Sequence, residues 1–242
     1  GSFCSLRWCR GVLCWPFLWN RRRCRLCLAA ALLLVAGGAA AGGPGGIIAT
    51  ITDRDGALVP QAVVYAEPVG AQAPAAVPRP SAVMDQKDKQ FVPHILVVRT
   101  GTEIQFPNSD TVSHHVYSFS PAKSFELALY RQGTVHPPLL FDTPGEVTLG
   151  CNIHDDMVGY ILVVDTSFFA MTGANGEASL TGLAPGKYRV SVWTPRLKRA
   201  DLPAPVEIDV AADRPAPFTA QFSAKLAPPH HSAASSLQWS RY

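Results

Sequence analysis

From residue 47 to residue 222 no stretch of the chain sustains an apolar period of 3.6 residues. Short runs of β-branched and aromatic residues recur instead, each closed by Gly, Pro, Asn or Asp. A chain patterned this way reads as all-β, a sandwich or barrel of many short strands. Three blocks follow one another. In the first, residues 47–69, the run Ile47 to Thr52 reads as a strand, Asp53-Arg54-Asp55-Gly56 as a turn, and Ala62 to Tyr65 as the return strand. An Ala- and Pro-rich linker, 71–82, leads to the second block, 83–165. There residues 91–99, 102–106, 146–149 and 158–164 are strand candidates, the last a continuous apolar run. The third block, 168–222, carries Asn175-Gly176, a hairpin signal, and Ala184-Pro185-Gly186-Lys187 before an alternating strand at 188–193. Residues 223–242 are polar and read as a disordered tail.

The first 42 residues are set apart from these blocks. Arg21, Arg22, Arg23 and Arg25 precede an apolar stretch at 26–35, and small residues at 37–43 offer a cleavage site near Ala39-Ala40-Ala41. This is the pattern of a secretory signal peptide. The apolar stretch is shorter than the ~20 residues of a membrane span. The expectation is a periplasmic protein, free of the membrane once the leader is cut.

Removing the leader changes the chemistry. Of six cysteines, Cys4, Cys9, Cys14, Cys24 and Cys27 leave, and Cys151 alone remains. A single thiol in an oxidising compartment can form no internal disulfide, and metal ligation gives it a use. The 21 basic residues lose six arginines, so 15 face 18 acidic residues and the balance turns negative. No basic aromatic stripe suggests nucleic acid.

Cys151 opens the segment Cys151-Asn152-Ile153-His154-Asp155-Asp156-Met157, a C-x2-H-x2-M spacing between two strand candidates. A mononuclear electron-transfer copper site uses one thiolate, two imidazoles and a weak axial thioether. This loop offers three of the four. The remaining histidine must come from elsewhere, and the segment from Asn108 to Val116 carries His114 and His115 after another strand candidate.

The run from Phe91 to Asp110, FVPHILVVRTGTEIQFPNSD, resembles the opening of a plastocyanin-type cupredoxin, with its F-x-P, the strand after it and F-x-N-x-D. The loop spacing is similar to that of amicyanin. SHHVYSFSPAKSFELALYRQG and GCNIHDDMVGYILVVDT resemble a periplasmic plastocyanin-like subgroup, the methylamine utilization proteins. The resemblance covers residues 83–165. It implies a Greek-key cupredoxin holding one type 1 copper, Cu(I)/Cu(II), on His114, Cys151, His154 and Met157. His115 is the runner-up for His114. It stands where the family has an Asn that ties the ligand loops, which leaves that tie in question. Met171 to Tyr188 and Ile48 to Val64 resemble the two halves of a carboxypeptidase regulatory-like, prealbumin-like β-sandwich. That implies a split sandwich, 46–70 with 166–222, holding the cupredoxin between two of its strands.

The functional expectation is an electron carrier. Electrons leave through His154, beside a partner-facing patch of Asp155, Asp156 and Val158, toward a redox protein such as a c-type cytochrome or a dehydrogenase. The alternative is a periplasmic copper chaperone without a carrier role. That role favours Met- or His-rich chains, whereas this one has three Met. An enzyme is not expected: Cys151 is flanked by Gly150 and Asn152, not by the histidines that bridge coppers, and a dinuclear site needs a second Cys. Trp193 and Tyr188 alternate with other residues and make no carbohydrate platform. His94 and His136 read as ordinary strand and loop histidines.

Overall fold

The computed structural model describes residues 44–70 and 80–229. Residues 1–43, over which a leader is expected, linker residues 71–79, and residues 230–242 with His230 and His231 lie outside the described residues. The all-β expectation holds. Among the described residues the regular structure is strand, apart from a 3-10 turn at Arg199–Asp201, and no helix is long and apolar enough to cross a membrane.

Two layered units share the strands. In the first, a sheet ordered Glu177–Leu183, Gly45–Thr52, Pro215–Gln221 faces a sheet ordered Phe169–Met171, Val63–Pro68, Gly186–Trp193, Val206–Val210. Period-two alternation sorts the side chains. Ile47, Ala49 and Ile51 are buried while Ile48 is exposed, and Val64, Ala66, Leu180, Val190 and Phe218 complete the same core. In the second unit a five-stranded sheet runs Ile95–Arg99, Val158–Val164, Gly145–Cys151, His114–Ser120, Lys123–Tyr130. Facing it are Ser81–Val83, Thr102–Gln105 and Leu139–Phe141, with the hairpin Asp85–Lys87 and Gln90–Val92. Phe91, Ile104, Phe106, Phe141, Val147, Leu149 and Ile161 fill the space between them.

The chain leaves the first unit at Pro68 and rejoins it at Phe169, whose strand pairs with Val63–Pro68. The two crossings are tied together: Thr166 Oγ1 donates to the Ala66 carbonyl at 2.7 Å, and the Ala66 amide donates to Phe168 O at 2.9 Å. Adjacent ends of this kind let one unit sit between two strands of another.

Val158–Val164 explains its own continuous apolar run. Ile161 and Val163 point into the second unit's core, while Tyr160, Leu162 and Val164 point the other way, into a third cluster with Ile95, Val63 and Trp193. A strand covered on both faces has no position left for a polar residue. Burying each such side chain is worth roughly 1.5–3 kcal/mol. Trp193 is core, and its Nε1–H donates to Glu146 Oε2 at 3.1 Å.

Several local expectations are corrected. The turns at Asp53–Gly56 and Asn175–Gly176 exist, with Gly56 at φ 84° and Gly176 at φ 66°. Neither joins two strands of one sheet: the turn at Asp53–Gly56 closes only a single antiparallel bridge, Thr52 with Leu58, before the chain crosses to the other sheet. Each core is filled from two sheets, so the chain arches across the core at these turns. The strand read at 91–99 is two strands: Gln90–Val92 pairs with Asp85–Lys87, and Ile95–Arg99 runs parallel to Val158–Val164. Pro93, which has no N–H to give a ladder, stands between them. The linker ends at Ser81–Val83, which pairs with Thr102–Gln105. The tail begins later than residue 223: Ala224 and Leu226 pack on the first core, and Arg196 Nε–H donates to Ala227 O at 2.7 Å.

Candidate metal centre

Cys151 ends the strand Gly145–Cys151 and His114 begins the strand His114–Ser120. These neighbours run antiparallel, with Cys151 opposite Val116, so both donors fall at the same end of the sheet and on its inner face. His154 follows in a tight turn closed by the Met157 amide donating to His154 O at 3.0 Å. The result is a cluster. Cys151 Sγ lies 3.7 Å from His114 Nδ1 and 3.6 Å from His154 Nδ1, and all three donor atoms fall within 4.8 Å of one another. Thiolate and imidazole bind an ion at about 2.0–2.3 Å, and separations of this size suit one ion shared by all three. Cys151 and His114 are buried and His154 is half-buried. Met157 is fully buried in the same core cluster as Cys151. The residues fit a soft, borderline transition metal of the copper type.

His115, the runner-up, turns to the opposite face. Its Nε2 lies 2.7 Å from Glu126 Oε1 at the surface. Strand alternation separates the two histidines, at a point where the pairing with Lys123–Tyr130 shifts register. The two donor-bearing segments are joined here through the backbone: the Asn152 amide donates to His115 O at 3.0 Å.

Asp110, which closes the F-x-N-x-D run and was given no role of its own in the sequence, faces His114. Its Oδ2 sits 3.1 Å from His114 Nε2 and accepts the Lys89 amide at 2.7 Å, while Oδ1 accepts the Thr111 amide at 2.7 Å. Burial pushes this carboxyl up. The Lys89 amide, the His114 ring and the Thr111 amide outweigh it and hold the group below the usual carboxylate range. Lys89 reaches it from an unusual position. Asp88 (φ 53°) and Lys89 (φ 57°) are both left-handed at the tip of the hairpin Asp85–Lys87/Gln90–Val92, a type I′ pattern without glycine. Such a conformation costs roughly 1–2 kcal/mol for a residue with a Cβ. A hydrogen bond to a charged group returns about 1.5–3 kcal/mol. The Asp at i and His at i+4 were in plain view; their meeting depended on the loop's shape.

Asn108 shapes that loop. Its Nδ2 donates to Val112 O at 2.9 Å and Tyr130 O at 3.1 Å, and its Oδ1 accepts the Asp110 amide at 2.8 Å. Buried Gln86 donates from Nε2 to Pro107 O at 2.8 Å and to Tyr130 Oη, whose hydroxyl donates to Phe106 O at 2.9 Å. The His154 ring is held below the usual histidine range, chiefly by burial. A ring so placed keeps its lone pair near neutral pH, as a metal donor must.

At the loop tip Asp155 and Asp156 are exposed, Ile153 is 50% exposed, and Val158 is half-buried. Val158 also lines an open hollow of about 300 Å³ on the outer face of the five-stranded sheet, with Tyr117, Phe119 and Gly150. Those side chains alternate with Val116 and Cys151, so the hollow does not open onto the donor cluster. The His94 ring packs edge-on against Tyr160, and His136 edge-on against Tyr130; neither joins the cluster.

No protein-family model and no curated protein matches this chain. Among solved structures it is similar to a purple cupredoxin from Nitrosopumilus maritimus (21% identity over 34% of this chain and 99% of that one, TM-score 0.31). It is also similar to a reduced amicyanin variant (20% identity, 41% of this chain and 99% of that one, TM-score 0.32). A third is a copper-containing nitrite reductase from Thermus scotoductus (25% identity, 41% of this chain and 26% of that one, TM-score 0.34).

Proposed function

We propose that the chain is an exported copper protein that carries single electrons, with His114, Cys151, His154 and Met157 as the ligands of one type 1 copper. The observation that carries this reading is the convergence of His114 Nδ1, Cys151 Sγ and His154 Nδ1 within 4.8 Å, on strands and a turn whose backbone bonds fix them. A thiolate with two imidazoles serves both Cu(I) and Cu(II), and a donor set held by packing need not rearrange when the charge changes. Bound copper would take up and release one electron. The protein's part is to hold the donors, to bury the thiolate, and to leave the half-buried His154 ring as the short route to the surface.

The partner of this reading is a redox protein such as a c-type cytochrome or a dehydrogenase, meeting the tip formed by Ile153, Val158, Asp155 and Asp156. Weak electron-transfer contacts of this kind bury less than about 1,200 Å². The periplasm is the compartment that fits a leader of the type read at residues 1–42 and a single thiol reserved for metal.

Titrating the leader-free protein with Cu(II) tests the reading. One equivalent should produce an intense thiolate-to-copper band in the visible that ascorbate bleaches and a mild oxidant restores. Cys151→Ser should remove that band and most Cu(II) affinity, because no other donor in the cluster supplies a covalent metal–sulfur bond of this kind. A wild-type protein that binds copper without the band, or a Cys151→Ser protein that retains it, would sink the assignment.

A further inference from the structure

We propose that Asp110 is the positioning residue of this cluster: its carboxylate keeps the His114 proton on Nε2, so Nδ1 turns its lone pair to Cys151, and its charge favours the higher oxidation state of the bound copper. The second half rests on the copper reading above; the first does not.

The argument begins with what each atom can do. An ionised carboxylate only accepts hydrogen bonds. Asp110 Oδ2 already accepts the Lys89 amide, and Oδ1 the Thr111 amide. The ring atom at 3.1 Å, His114 Nε2, must therefore bring the proton. A neutral imidazole has one N–H, so Nδ1 is left bare, 3.7 Å from Cys151 Sγ. His114 is fully buried, out of reach of bulk solvent. The carboxylate is itself built in: Asn108 clamps the loop on both sides of it, and the Ser109 amide donates to Gln86 O at 3.0 Å, joining loop to hairpin.

A negative charge one imidazole away from a metal raises the basicity of that ligand and stabilises the more positive ion. His115 and Glu126 supply an internal control. They form an even shorter contact, 2.7 Å, between the same group types, but on the exposed face and off the donor cluster.

Two measurements test the proposal. In metal-free protein at neutral pH, long-range nitrogen–proton NMR of the His114 ring should show the Nε2–H tautomer. In Asp110→Ala the Nδ1–H form should become populated. An Nδ1–H or evenly mixed ring in the wild type overturns the first half, and this reading needs no copper and no variant that folds. In copper-loaded protein, Asp110→Asn keeps an oxygen for the Nε2 proton and loses the charge. The visible band should persist while the preference for Cu(I) over Cu(II) rises about tenfold, which is about 59 mV for a one-electron couple. Glu126→Gln should change that preference by less than twofold. An unmoved potential in Asp110→Asn, or an equal shift in Glu126→Gln, overturns the second half. If the wild type shows no thiolate-to-copper band at all, the copper reading fails and the second half falls with it, while the tautomer result stands on its own.

Discussion

The two faces of the five-stranded sheet use similar residues to different ends. On the inner face His114 meets Asp110 and Cys151 where all three are buried; on the outer face His115 meets Glu126 at the surface. Inward, Gly159 makes room for Phe91; outward, Gly150 makes room for the Tyr117 ring. Residue type is the same in each pair, and strand alternation decides which member sits where packing and charge are costly. A pair with one partner fully buried is screened less than the same pair in solvent.

The sharpest way to break this comparison is to exchange the histidines' fates. His114→Ala should reduce copper affinity at least a hundredfold and shift or abolish the visible band. His115→Ala should leave both within about twofold. A copper titration of the two variants, side by side, checks this; the reverse ranking would place the donor on the outer face.

The glycines give the next largest contrast. A Cβ on Gly159 would lie 2.7 Å from Phe91 Cβ, close to the backbone of a side chain locked in the core. Gly159→Ala should destabilise by about 1–3 kcal/mol, the range for overpacking. A Cβ on Gly150 would also meet an atom at 2.7 Å, but that atom is the Tyr117 ring, which can swing toward the open hollow. Gly150→Ala should cost less, below about 1 kcal/mol. Urea denaturation of both variants reads the difference, and equal losses would mean the outer face is as rigid as the inner.

A smaller effect is read by pH. The Tyr130 phenol, on the inner side, is pushed up to about 12, chiefly by burial; the Gln86 bond opposes this, and the negative charges of Asp85 and Cys151 add to it. Because the folded value lies above that of the unfolded chain, this contribution to stability is intact below pH ~10 and is lost as pH rises through about 12. Tyr160, buried on the outer face against the first unit, is raised in the same direction. Denaturation midpoints taken between pH 9 and 11.5 should fall in the wild type and fall less steeply in Tyr130→Phe. A parallel decline in both would remove Tyr130 from the account.

The smallest effect lies at the exposed tip. Asp155→Asn with Asp156→Asn should leave the copper spectrum unchanged and flatten the salt dependence of electron exchange with a basic cytochrome, since exposed charges steer and are screened. An unaltered salt slope would free the partner's choice from these carboxylates.

Much of this was legible in the residues. The all-β class followed from periodicity, and the C-x2-H-x2-M segment stood out because it holds the one cysteine that follows residue 42. Legibility ended where pairing is decided at a distance. Asp53–Gly56 and Asn175–Gly176 carry turn chemistry that serves a hairpin and an arch between sheets equally well, and only the filling of the first core selects the arch. The strand Lys123–Tyr130 escaped notice because as a sheet edge it buries only Leu127 and Tyr130. The hairpin at Asp88-Lys89 was invisible for the opposite reason: Asp88 suits a left-handed turn but Lys89, where glycine is usual, does not, and the Lys89 amide's bond to Asp110 holds it there.

The first strand described, Gly45–Thr52, lies parallel to the last, Pro215–Gln221, with Ala49 opposite Phe218. In a chain made from one end, this gives folding a clock. The first unit cannot close its sheet until its final strand has emerged, and the loop to be closed spans nearly the whole described chain, which slows the search. Gly145–Cys151 and Val158–Val164, by contrast, meet across the short loop that carries His154 and Met157. The donor-bearing unit can thus assemble while the strand that completes its host has yet to arrive.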